Sequence, residues 1–79
     1  KTMQLKALVT GYLKEISSAV SMHDFRIVAG PTHTNLIFDV AVPYDFPLPD
    51  NELSEKIKAR IRQDNPSYFA VIDIDKQMV

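Results

Sequence analysis

Residues 34–42, "TNLIFDVAV", decide the fold. Leu36, Phe38, Val40 and Val42 alternate along this stretch, so an extended chain puts all four on one face. Asp39 sits in the middle of the most apolar run of the chain but points the other way. A carboxylate placed like this need not enter a core. The segments on either side of this strand set the architecture.

Upstream, residues 23–28, "HDFRIV", read as a shorter strand with Phe25 and Ile27 on one face. Gly30-Pro31 breaks it as a turn does, so the two strands form an antiparallel hairpin. Residues 3–20 come first and read as an amphipathic helix. Leu5, Leu8, Val9, Tyr12, Leu13, Ile16, Ala19 and Val20 follow its apolar spacing. Gly11 weakens that helix by about 1 kcal/mol relative to alanine.

Downstream, residues 43–51, "PYDFPLPDN", form a proline-rich loop. Asp50 is expected as the N-cap of a second helix over 51–64, with Glu52 in its first turn where the dipole favours an acid. Leu53, Ile57 and Ile61 give that helix a narrow apolar stripe, and Lys56, Lys58, Arg60 and Arg62 its solvated side. Asn65-Pro66 ends it, and residues 68–75, "YFAVIDID", read as the third strand. Tyr44, Phe46 and Tyr68 are placed to cover a core edge or a partner surface, and Met3, Met22 and Met78 read as core or terminal residues.

The order is α-β-β-α-β. It implies an α+β sandwich: a three-stranded mixed sheet with both helices on one face. The step from second strand through helix to third strand fits a right-handed crossover, which makes those two strands parallel.

The 79 residues make one domain, without repeats or an interdomain linker. A chain of this size buries only roughly 60% of its unfolded surface. It has no cysteine to staple it, which leaves a dimer or a bound ion as sources of added stability. The absence of cysteine also suits the cytosol. Hydrophobic residues at 46% and charged residues at 24% argue against disorder. A net charge of −1 supplies no field for nucleic acid. No apolar run approaches the roughly 18 residues of a membrane span. The chain opens on Lys1 rather than methionine, and a longer parent protein is expected.

Charge is unevenly spread. Between Arg26 and Lys56 there is no lysine or arginine, while Asp39, Asp45, Asp50, Glu52 and Glu55 all fall there. The topology gathers acids further. Asp39 lies late in the second strand, Asp73 and Asp75 late in the third, and His23 at the start of the antiparallel first strand. Glu52 follows the second strand closely enough to approach the same rim. One imidazole and four carboxylates are thus expected at one end of the sheet. Carboxylates this close repel one another unless a cation lies between them. Histidine with carboxylates is a ligand set for Zn²⁺, Mn²⁺ or a similar ion. Alternating aspartates also mark an ordinary solvent face, and spacing alone favours that plainer reading. His33, in the turn, reads as exposed. There is no phosphate loop, since the chain has two glycines, and no convincing catalytic set.

"VSMHDFRIVAGPTHTNLIFDVAVP", followed by a helix and "AVIDID", resembles the C-terminal cytoplasmic domain of cation diffusion facilitators, membrane exporters of zinc, manganese, iron and related ions. The resemblance runs from about Val20 to Asp75. It implies a ferredoxin-like, metallochaperone-like fold that homodimerises at the cytoplasmic face of a membrane, attached to a transmembrane domain of the same chain. It also implies that a divalent cation, zinc or manganese, draws the two copies together. His23 matches a histidine that commonly ligates metal in that family. Asp39 and Asp73 fall where relatives often carry histidines, and Asp75 matches an aspartate that can bridge two ions. Glu52 falls loosely near a helix histidine used by some members. Replacing histidine by carboxylate favours a harder ion such as Mn²⁺ over Zn²⁺, or weakens the site; every replacement is itself a potential ligand. The expectation is a regulatory, dimerising module of a cation exporter, not an enzyme. The rivals are a small-molecule-binding regulatory domain of ferredoxin-like fold and a purely structural dimerisation domain.

Overall fold

The computed structural model describes residues 2–77. Five elements follow in the expected order: α1 (Thr2–Ile16), β1 (Ser21–Ala29), β2 (Thr34–Pro43), α2 (Asp50–Asp64) and β3 (Tyr68–Gln77). β2 is the central strand, antiparallel to β1 and parallel to β3. The α+β sandwich is therefore as the sequence implies. Met78 lies outside the described residues.

Alternation along β2 builds the core. Leu36, Phe38, Val40 and Val42 are all fully buried. They meet Val9 and Leu13 from α1, Leu53, Ile57 and Ile61 from α2, and Val20 from the turn before β1. Both helices thus cover one face of the sheet and leave the other open. Phe25 packs on Phe38 from β1, with ring centroids 5.8 Å apart.

Several local expectations are corrected. α1 stops at Ile16, not at residue 20. Ser17 bends the chain, its hydroxyl accepting from the Ala19 amide at 3.1 Å, and Lys14 Nζ donates to the Ser18 and Val20 carbonyls. Val20 is still buried, but Ala19 and Leu8 stay exposed. Pro49, not Asp50, is the N-cap of α2, with no side-chain cap bond. Asp50 instead pairs with Lys76 of β3 at 3.4 Å. Arg60 is not simply solvated. Its guanidinium lies 4.2 Å over the Tyr12 ring and its Nε donates to Glu15 at 3.2 Å, clasping α1 to α2. Phe46, Tyr68 and Met22 pack against the core, whereas Tyr44 and Met3 stay exposed.

The hairpin carries one irregularity. Between the pairs His23↔Asp39 and Arg26↔Ile37 the register shifts, so Asp24 and Phe25 together oppose Phe38. This is a β-bulge. Asp24 absorbs it with φ at 55°, in the left-handed region. That region costs an ordinary L-residue roughly 1–2 kcal/mol, and aspartate tolerates it better than most. At the turn, the Gly30 amide donates to the His33 carbonyl at 2.9 Å, and a β-carbon on Gly30 would sit 2.9 Å from that same oxygen.

Two substitutions test the packing. A β-carbon at Gly11 meets nothing within 4 Å, so Gly11→Ala should raise stability by about 1 kcal/mol in urea unfolding. A loss of stability would mean that α1 does not run straight through residue 11. The Tyr12 hydroxyl is buried without a hydrogen-bond partner among the described residues. Burial first, and then the nearby Asp64 carboxylate, push its phenol up to about 12. Tyr12→Phe should therefore be neutral or stabilising, since no bond is lost. A clear drop in melting temperature would place a partner on that oxygen.

Candidate metal centre

Strand register brings three of the expected ligands into one row. His23 pairs with Asp39 across the hairpin, and Asp39 pairs with Asp73 across the parallel ladder. The face follows from parity: Asp39 alternates with the buried Phe38 and Val40, so it points to the open side of the sheet. Asp73 is exposed beside the half-buried Ile72 and Ile74 and shares that side.

The bulge decides the side for His23. Simple alternation would carry it onto the face of Phe25 and Ile27, against the core. The extra residue reverses this, so Met22 opposes Val40 and His23 opposes Asp39. His23 Nε2 then lies 3.3 Å from the hydroxyl of Ser21, two residues back on the same face.

Asp75 stands one row further along, in register with Ala41, and accepts from Gln77 Nε2 at 3.1 Å. Glu52 stands apart. It is exposed on α2, around a shallow hollow with Asn51, Glu55, Lys56 and Ala59, while α2 covers the opposite side of the sheet. The structure therefore brings His23, Asp39 and Asp73 into a row, sets Asp75 beside it, and leaves Glu52 out.

Sequence reading missed Asp24. The bulge turns it and Arg26 to the hollow beside Asp39. Its position next to an imidazole was the available signal, but the φ that directs it is not written in any spacing. Asp39 is half-buried, and its carboxyl is raised above the ordinary range. Partial burial is the first cause. Asp24 follows, within reach of a shared hydrogen bond, and then the charge of Asp73; Arg26 acts in the opposite sense.

Row geometry limits what one chain does alone. Neighbouring strands are about 4.8 Å apart, so His23 and Asp73 are separated by about 10 Å along the row. Ligand bonds to zinc are only about 2.0–2.3 Å. Among the described residues no three His, Asp or Glu side chains gather closely enough to hold an ion. One copy thus offers two adjacent ligands at a time, and completing a shell needs donors from outside it. The donor chemistry, one imidazole among carboxylates with one acid raised by partial burial and then by its neighbours, fits a divalent cation.

The rest of the open face is apolar. Val28, Phe69 and Val71 are about half exposed, with Ile37 between them. His33 is not free in the turn as expected; its ring stacks on Phe69 at 4.4 Å.

The backbone closely matches solved structures of metal-transport proteins. CzrB, described as a zinc transporter, in its Zn form superposes with a TM-score of 0.77 at 16% identity, over 96% of this chain and 84% of that one. A second CzrB structure gives 0.74 at 18% identity, over 94% of both chains. The metal-bound C-terminal domain of the CzcD transporter from Thermotoga maritima gives 0.69 at 18% identity, over 96% of this chain and 93% of that one. The chain has the fold of cation diffusion facilitator C-terminal domains. No protein-family model matches the sequence, and no curated protein does. At 16–18% identity the likeness concerns the backbone, and the ligands rest on this chain's own residues.

The raised Asp39 carboxyl has a signed consequence. A raised acid favours the fold while protonated. That contribution is whole below the ordinary value of 3.8 and is lost as pH climbs through the raised folded value. In metal-free buffer at neutral pH, Asp39→Asn should therefore raise the melting temperature. It should also flatten the fall in stability that begins above about pH 4. An unchanged melting temperature at neutral pH would remove the strain attributed to the partial burial of Asp39 and to its neighbours Asp24 and Asp73.

Proposed function

We propose that this chain is the cytoplasmic regulatory and dimerisation domain of a divalent-cation efflux transporter. It binds cytosolic metal and is a binding module, not an enzyme. The observation that carries the reading is the row of His23, Asp39 and Asp73 on the uncovered side of a sheet whose fold is shared with a metal-bound transporter domain.

The mechanism follows from charge and geometry. Two copies that meet through their open faces bring two anionic rims together. Without metal the rims repel, and screening at physiological salt acts over about 8 Å, so close carboxylates still feel one another. A cation between the rims removes the repulsion and takes its remaining donors from the second copy. Oxygen-rich donors favour Mn²⁺ or Zn²⁺ in mixed N/O coordination, with manganese the harder partner. Closure of the pair is the signal passed to the attached membrane domain.

Thermal melts and light scattering with Zn²⁺, Mn²⁺ and Fe²⁺ test the reading. An ion at 100 times its Kd should stabilise the fold by about 2.7 kcal/mol and raise the dimer fraction. Asp39→Ala should weaken both responses. No response to any of the three ions sinks metal sensing, and a persistent metal-independent dimer would then leave the purely structural role.

A further inference from the structure

Between Arg26↔Ile37 and His23↔Asp39, β1 spends two residues where β2 spends one. Continued without interruption from Arg26, β1 would set Asp24 opposite Asp39 and His23 opposite Val40, among core side chains. Met22 would then face outward, opposite Ala41. The observed register is the reverse: Met22 pairs with Val40 and packs on the core, and His23 pairs with Asp39. The change of side is taken up at Asp24, the one non-glycine residue among those described with positive φ; no glycine has one. Phe25 stays on the core side, where its ring meets Phe38.

We infer that Asp24 is a positioning residue, whose left-handed backbone turns the His23 imidazole out of the core and onto the row of Asp39 and Asp73. Asp24 acts through His23 here and not as a ligand. The importance of His23 rests on the proposed metal-binding function, whereas its placement is a property of the fold alone. The left-handed region admits glycine freely and asparagine or aspartate readily, and it penalises β-branched residues most. The identity of residue 24 therefore matters through its backbone. Removing residue 24 altogether also removes the extra residue, which leaves a regular strand with His23 still opposite Asp39.

The 79-residue chain with Asp24→Gly, Asp24→Asn, Asp24→Val or residue 24 deleted tests this by NMR and by Mn²⁺ and Zn²⁺ titration. Through-space contacts of the His23 ring to Ser21 and Asp39 should persist in the glycine, asparagine and deletion variants. In the valine variant they should be lost, with new contacts to Val40. Metal affinity should drop about 10–100-fold in the valine variant, as for loss of a ligand-orienting group, and stay near wild type in the others. Unchanged His23 contacts in the valine variant overturn the inference. So does an equal loss of affinity in the glycine and valine variants with the ring in place, which would assign the effect to the carboxylate. If the valine variant fails to fold, Asp24→Leu takes its place: unchanged His23 contacts overturn the inference, and new contacts to Val40 support it. If wild type binds no ion, the function fails but the ring contacts still judge the positioning role.

Discussion

Burial of one face of β2 is the constraint on which the rest depends. Leu36, Phe38, Val40 and Val42 fill the space under both helices, and each displaces water from apolar surface. Because side chains alternate, a strand pinned on one side is also fixed on the other. Ile37, Asp39 and Ala41 therefore project from the open face. Slipping β2 by one residue would bury Asp39 and expose four apolar side chains, which no arrangement of the helices compensates.

The open face is divided by chemistry. Near the β1–β2 turn it is apolar, with Val28, Ile37, Phe69, Val71 and the His33 ring stacked on Phe69. Toward the far end it carries Asp24, Asp39, Asp73 and Asp75, with Arg26 as the nearby cation. Apolar contact without the acids would make a permanent interface; acids without the apolar half would make a solvated rim. Side by side, they leave a face that is apolar at one end and anionic at the other.

Much of this was legible in the chain. The order of elements followed from periodicity, and the parallel pairing of β2 with β3 followed from the intervening helix. The shared row of Asp39 and Asp73 followed from both. Other features escaped because they depend on tertiary contacts or on single dihedral angles. The apolar stripe of α1 continued to Val20, but Ser17 and the Lys14 ammonium closed the helix early while Val20 stayed in the core. Asp50 has the chemistry of a cap, yet Lys76 from β3 holds it elsewhere. Glu52 is near the rim in sequence, but α2 lies on the wrong side of the sheet for it to join. The side taken by His23 hung on the φ of its neighbour.

The bulge has a second consequence. β1 is an edge strand of nine residues, and its outer backbone groups are a ready template for pairing with another strand. A long, flat edge of this kind invites aggregation. The register shift at Asp24 divides it into shorter runs, Ser21–His23 and Arg26–Ala29. The irregularity that turns one histidine outward thus also spoils the edge as a seed for fibrous assembly.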